Sequence, residues 1–497
     1  MYEAVIGLEI HAQLKTDTKL FCDCRNDPDE RHPNMNVCPV CMGHPGTLPV
    51  ANKKAVEAVV KVGCALGGTI ARFSKFDRKN YFYPDLPKGY QISQYDMPLC
   101  EKGSVRVGAR DIGITRVHLE EDTGRLVHSE EGASLVDFNR AGVPLMELVT
   151  EPDIRTAQEA AEFAKKLQMI FQYLEVSDAN MEKGQMRCEV NISMRKAGEK
   201  FGTKVEIKNL NSFGVVKDAI AYEIQRQTEM LEQGEAVVQE TRGWDEHKKA
   251  TVSQRMKESA HDYRYFPEPD LPVLKIGAHE GLSGGETIDV EAIRASLPEL
   301  PDQKCARFQK EFGLSEKDAI VLVAQKPVAA FYEHAVSELM EWYAETAKKT
   351  PEESEKMKMA KLAANYLNTD IRRLTNETGT PFAEMLVTPE NFAELMLYTY
   401  QGTISSTIAK AVLDEMFRTG KDPSNIIEEK GLAQKQDAGE LEVLARGIII
   451  ANEKAVADYK KGNQNALQFL FGKLMAETQG KVDPKIGREI FTKLLNN

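Results

Sequence analysis

A chain of 497 residues, 42% hydrophobic and 28% charged, is long enough for about three domains with packed cores. Its 64 basic and 76 acidic residues give a net charge of −12, which argues against a protein that coats nucleic acid nonspecifically. No run approaches the ~18 consecutive apolar residues of a membrane helix. The N-terminal MYEAVIGLEIHAQLKT enters a strand pattern directly, with no basic-then-apolar leader, so a cytoplasmic protein without a membrane segment is expected.

Strict alternation marks residues 4–14 as a strand, with Leu8, Ile10, Ala12 and Leu14 on one face and Glu9, His11 and Gln13 on the other. A carboxylate and an imidazole two residues apart can hold a divalent cation together, although by itself the pair fits an ordinary solvated face. Next come Cys22, Cys24, Cys38 and Cys41, spaced CxC-x13-CxxC. Two close thiol pairs around a polar loop suit a tetrahedral zinc site with no open position, and therefore a structural one. The other readings are four unrelated cysteines, or a site that uses His32 or His44. The remaining cysteines (Cys64, Cys100, Cys188, Cys305) are scattered and read as packing residues.

A helix is expected over 52–66. The segment FDRKNYFYPDLPKGYQISQYD, residues 76–96, then mixes aromatics with Arg78, Lys79 and Lys88. Basic groups on Pro/Gly turns can neutralise phosphates and aromatics can stack on bases, while a plain β-rich surface loop reads equally well. In GITRVHLEED, Arg116, His118 and Glu120 share a face opposite Thr115, Val117 and Leu119; PLMELVTEPD follows, with Glu147 and Glu151. Acidic runs are commonly solvated turns. Carboxylates that converge in one cavity instead need a cation, and Mg²⁺ carrying a nucleoside triphosphate is a natural one.

Helices over 155–174 and 213–233 bracket two further alternating segments, RCEVNISM (187–194) and, more weakly, KVEIKNL (204–210). This order predicts an α+β domain on a largely antiparallel sheet. Pro- and Gly-rich residues 262–300 form a boundary. Residues 302–400 read as almost all helix, 419–440 as a loop, and the end as three short helices near 440–461, 463–478 and 483–496. From Ala451 onward eight Lys/Arg face five Asp/Glu, so the charge changes sign there. No phosphate-binding GxxxxGK[ST], strand-borne GxGxxG, kinase set or GxSxG elbow occurs, and Cys188 falls on an apolar face unsuited to a nucleophile.

The series IGLEIHAQL, FDRKNYFYPDLPKGYQISQYD, HLEEDTGR, LVDFNRAGVPLMELVTEPD, MRCEVNISMR, GTKVEIKNLNSF, QETRGWDE and DYRYFPEPDLP, in that order, closely resembles the B subunit of the GatCAB-type tRNA-dependent amidotransferases. The likeness runs through the C-terminal VADYKKGNQNALQFLFGKLMAETQGKVDP and so covers essentially the whole chain. It implies a cradle domain (1–292) that uses ATP to phosphorylate the side chain of Glu-tRNA(Gln) or Asp-tRNA(Asn), a helical domain (293–405) and a tRNA-binding tail (406–497). It also implies two partners, a glutaminase A subunit that supplies ammonia through a channel and a small C subunit that clasps A to B. The family's Mg²⁺ residues carry over onto Glu9, His11, Glu120 and Glu147. The four cysteines match its four-cysteine, zinc-bearing variant. From their own chemistry, Lys79, Lys88 and Arg78 are expected to meet the nucleotide phosphates. The archaeal E subunit carries an inserted domain for which this chain has no room. A rival of another class is a zinc-bearing RNA-binding subunit or scaffold with no catalysis.

Overall fold

A computed structural model describes residues 2–128, 132–256, 263–277, 287–432, 438–460, 463–478, 482 and 484–496. The chain divides into two compact units, Met1–Leu300 and Pro301–Asn497.

In the first unit ten strands form one sheet. Its main path runs Ala250–Met256, Glu240–Asp245, Val205–Leu210, Met186–Lys196, Tyr2–Gln13, Pro144–Thr150, Arg110–Glu121, Cys100–Glu101 and Thr69–Ile70, and Ser104–Val107 pairs with Arg110–Glu121 off that path. Among the described residues, Val205–Leu210 with Glu240–Asp245 is the only parallel strand pair of this sheet, which is largely antiparallel as expected. Pleating sends Leu8, Ile10, Ala12, Val190 and Ile192 to one side, where they are fully buried. Three helices cover that side: Lys53–Ala65, Ala157–Tyr173 and Phe213–Glu232. Phe163, Leu167 and Phe171 of the second, and Val216 and Ile220 of the third, join the same apolar cluster as Ile6, Leu8, Ile10 and Ile207. Each such side chain contributes roughly 1.5–3 kcal/mol through burial. The helices start where their caps dictate, with Asn52, Thr156 and Ser212 accepting from the backbone N–H of Ala55, Glu159 and Val215. With one face filled, the polar face of the same strands is held on a rigid base.

Two details of the strand reading need correction. Thr115 does not share the buried side of Val117 and Leu119. The register slips beside it, where Val149 pairs with Arg116 but Thr150 with Ile114, and Thr115 is exposed with its hydroxyl on Glu151 at 2.7 Å. In Val205–Leu210 the alternation ends at Asn209, whose φ of +62° turns the chain. Residues 262 and 278–286 of the boundary lie outside the described residues.

The second unit is helical in every described element. Lys326–Ala347 packs on Pro389–Tyr400 and on Glu353–Tyr366, around Phe308, Tyr332 and Phe392. The expected loop at 419–440 contains a helix, Pro423–Glu429, because Asp422 caps it and Pro423 suits its first turn. The first of the three expected C-terminal helices is two, Ala438–Ala451 and Glu453–Lys460, divided at Asn452, whose side-chain amide turns back to the Ile448 carbonyl at 2.8 Å. With Gln464–Glu477 and Pro484–Asn496 they enclose a separate apolar cluster of Leu441, Ile448, Leu470, Leu474, Phe491 and Leu495. Among the described residues no helix is long and apolar enough to cross a membrane.

Candidate active site

Cross-strand pairing builds the polar face in rows. His118 lies opposite Glu147, Glu147 opposite His11, and His11 opposite Arg187; one step along, Arg116, Val149, Glu9 and Glu189 form the next row. Glu120 stands at the near end, opposite Leu145. His11 Nε2 is 3.4 Å from Glu147 Oε2 and 3.8 Å from Glu120 Oε1, and His118 Nε2 is 3.3 Å from Glu147 and 3.9 Å from Glu120. Ligand atoms of His11, Glu120 and Glu147 all lie within 4.8 Å of one another. The Ser93 hydroxyl donates to Glu120 at 2.9 Å and fixes its carboxylate.

Two buried carboxylates this close cannot both stay ionised without positive charge beside them. Here the imidazoles supply it. Burial lowers the basicity of His118, but Glu147 and Glu120 outweigh it and push the group up to about 9; His11 is raised for the same reason. Against their own burial, Glu147 is held well below the usual carboxylate range by His118 and His11, and Glu120 is lowered by Lys79 and His118. The Nδ1 atoms of both imidazoles are buried and find no partner among the described residues. One imidazole and two carboxylates converging on a point form a donor set that suits a divalent cation, which would take over the charge the two ring protons now carry.

Glu9 belongs to the adjoining group. Its ligand atoms converge with those of Glu189 and Glu206, and its Oε1 accepts from Asn191 at 2.7 Å. Burial raises its pKa first, then the charges of Glu147 and Glu189, so it stands within electrostatic reach of the centre. Lys208 ties Glu189 at 2.8 Å.

The three basic residues singled out in 76–96 divide between two sides of the Asp77–Asn80/Tyr90–Ser93 hairpin. Lys79 faces the centre. It is buried against its own charge, yet Glu120 and Glu147 raise its pKa, and its amine lies 5.2 Å from the centroid of the Tyr263 ring. Arg78 points the other way, donating to both oxygens of buried Glu268 at 2.6 and 2.8 Å and stacking on Tyr90. Lys88 also flanks Tyr90 and is paired with Glu121 at 2.7 Å, on the side of the strand opposite Glu120. Burial pushes the Tyr265 hydroxyl up to about 12; Lys79 opposes this and Glu120 and Glu147 reinforce it, so Tyr265 stands within electrostatic reach of the same centre. Arg187 borders it as well, held by two hydrogen bonds to buried Asp122 at 3.0 and 3.1 Å.

The four cysteines do converge. Cys41 Sγ lies 3.9 Å from Cys38 Sγ and 4.0 Å from Cys24 Sγ, and all four sulfurs are mutually within 4.8 Å with no disulfide. A tetrahedral ion with ~2.3 Å bonds to sulfur requires sulfurs roughly 3.8 Å apart, so the set could hold a metal ion. Without one the thiols titrate unequally. The Cys22 hydrogen bond and the Lys19 ammonium pull Cys41 down to about 4, while Cys22 itself is pushed up. Lys19 is fully buried; it donates to the Asn36 and Phe138 carbonyls at 2.6 and 3.2 Å and lies 3.9 Å from Cys41 Sγ. His32 is bound to Glu30 instead and takes no part.

An α+β protein whose sheet carries a buried carboxylate–imidazole centre on one face, with a closed four-thiol site nearby, is the class that fold and site define. Residues 4–280 match the family described as the GatB/GatE catalytic domain, and residues 347–495 match the GatB domain. Three similar proteins are each named as the B subunit of an aspartyl/glutamyl-tRNA(Asn/Gln) amidotransferase. That of Caldanaerobacter subterraneus subsp. tengcongensis is 48% identical over 100% of this chain and 99% of its own length. That of Carboxydothermus hydrogenoformans is 48% identical over 97% of each chain, and that of Brevibacillus brevis 47% identical over 100% of this chain and 99% of its own. The chain belongs to the GatB/GatE family.

Proposed function

We propose that the chain is the ATP-using, tRNA-binding B subunit of an aspartyl/glutamyl-tRNA amidotransferase. A carboxylate is a poor electrophile, so amide formation requires its activation. One oxygen of the substrate's side-chain carboxylate attacks the terminal phosphorus of ATP and ADP leaves. Ammonia then attacks the acyl carbon of the resulting acyl phosphate, the C–O bond breaks, and one ammonia proton departs with inorganic phosphate. The substrate is Glu-tRNA(Gln), Asp-tRNA(Asn) or both. The partners are a glutaminase A subunit and a small C subunit, in the cytoplasm. The relatives' shared name supports this reaction over a non-catalytic RNA-binding subunit or scaffold.

The single observation that carries the assignment of the site is the convergence of His11, Glu120 and Glu147 on the polar face of the sheet. In this reading these residues, with Glu9 alongside, hold Mg²⁺. Bound there, the cation offsets the repulsion between nucleotide phosphates and the approaching carboxylate. Ser93 orients Glu120, Asn191 orients Glu9, and Lys79 meets the phosphates from across the centre. Arg78 and Lys88, held by Glu268 and Glu121, brace the hairpin that presents Lys79. The four cysteines hold zinc in a structural role. In this reading the chain divides into cradle (1–292), helical domain (293–405) and tail (406–497); the separate apolar cluster of residues 441–495 supports a distinct tail, while Ser406–Thr419 and Pro423–Glu429 pack on Pro389–Tyr400.

The test is a complex assembled with its A and C partners and given ATP, glutamine and each mischarged tRNA. Amide formation and ADP release that depend on the mischarged tRNA are expected. Their absence with both tRNAs would refute the reading, and normal amidation by Glu120→Gln would favour the scaffold.

A further inference from the structure

Four tyrosines form a continuous row beside the carboxylate–imidazole centre. Tyr81 meets Tyr263 edge-on with ring centroids 5.9 Å apart, and Tyr263 meets Tyr265 edge-on at 6.0 Å. Tyr265 then stacks on Tyr95 nearly parallel, at 4.2 Å and 12°. The row lies beside the chemistry, since Tyr265 immediately precedes Phe266, which pairs with Arg78 next to Lys79, and the strand paired with Lys79's own carries Ser93, the donor to Glu120. One end is open, with Tyr95 57% exposed. At the other end Tyr81 is followed in the chain by Phe82, 91% exposed, and Tyr83, 56% exposed. Exposed aromatics gathered in one place mark a binding surface. A parallel pair with one free π-face has the geometry to which a nucleobase adds as the next layer.

We propose that this row is a stacking platform for the unpaired 3′-terminal base of the charged tRNA. The inference rests on the function proposed above. The amino acid to be phosphorylated is esterified to the terminal ribose, so the terminal base must lie within one nucleotide of Glu120 and Glu147, beside which the row lies. Exposed aromatics stand at both ends of the row, Tyr95 at one and Phe82 and Tyr83 after Tyr81 at the other, more than the single base of a mononucleotide can cover but as a strand passing the site would require. The Lys79 amine over the Tyr263 ring adds positive charge along the same path. A base held here costs no sequence discrimination against either tRNA, because stacking reads a π-face and not a hydrogen-bond pattern.

The test measures binding of two tRNA(Gln) transcripts to the full chain, one intact and one lacking the 3′-terminal adenosine, with ATP alone as a separate probe. The wild type should bind the intact transcript about tenfold tighter, at the lower end of what one base–aromatic stack supplies. Tyr95→Ala and Tyr95→Leu should both erase that difference without changing the Kd for the shortened transcript, whereas Tyr95→Phe should keep it. Tyr95→Leu retains apolar bulk on Tyr265, so a persisting tenfold preference in that variant would show packing and refute stacking. No preference in the wild type, or weakened ATP binding with the tRNA preference intact, would overturn the proposal; the latter would give the platform to the adenine of ATP. A complex that amidates normally but shows no terminal-base preference sinks the platform alone, while a complex that never amidates sinks the function on which it rests.

Discussion

Glu147→Gln keeps the shape of the side chain and removes the charge on which two buried imidazoles depend. In the wild type His118 is held at about 9 against an ordinary 6.5, a difference of roughly 3 kcal/mol in favour of the imidazolium, reached although burial works the other way. After the substitution only Glu120, 3.9 Å away, still favours the proton on His118. Its titration should therefore fall to 6.5 or below, as read by the pH dependence of its ring C–H resonance in the cation-free chain. The sign for stability follows. A folded-state pKa raised above the unfolded value contributes stability that is complete below pH 6.5 and is lost as pH rises through about 9. Wild type and variant should thus differ most in denaturant midpoint at pH 6 and converge above pH 9. Divalent-cation affinity in the wild type should climb over that same interval as ring protons leave. In the assembled complex tRNA-dependent ADP release should drop at least ~100-fold, the scale of removing one preorganised charge from a reacting centre. An unchanged His118 titration together with unchanged ADP release would refute the reasoning, because the geometry leaves Glu147 no other role.

The basic residues of the hairpin should separate by readout. Lys79→Met should cut tRNA-dependent ATP turnover at least tenfold with little change in the unfolding midpoint, whereas Lys88→Met, which strands buried Glu121, should cost about 3 kcal/mol in urea denaturation; equal behaviour of the two variants would count against their assignment to opposite sides. Cys24→Ser should abolish stoichiometric zinc on metal analysis and lower the thermal midpoint, and full zinc retention would remove Cys24 from the site. Asp122, held at about 2 by Arg187 and Arg140 despite its burial, has a depressed pKa, so its contribution of about 2 kcal/mol is present above pH 3.8 and is lost as pH falls through 2. Asp122→Asn should flatten the acid limb of the stability profile over that range, and an unaltered acid limb would contradict the ion pair.

Local pattern reached far into this protein because strands and thiol clusters declare themselves in short windows. Alternation with period two assigned Glu9 and His11, and Glu120, to polar faces without knowledge of any neighbour, since a strand with one face in the core has no freedom to turn them inward. The CxC-x13-CxxC spacing pointed to four converging sulfurs for a similar reason. What short windows could not contain is adjacency. Glu147 meets His11 because strands more than a hundred residues apart pair in one register, and His118, read as one more polar residue of its strand, proves to be the second imidazole against the same carboxylates. Arg78 and Lys88 read as neighbours of Lys79, yet their partners Glu268 and Glu121, distant in sequence, take them to the other side of the hairpin. The face of the sheet that Glu9, His11 and Glu120 occupy was thus set by the amino-acid order, whereas their burial and the partners that shift their proton affinity were chosen by the pairing of strands, which depends on the whole buried face at once.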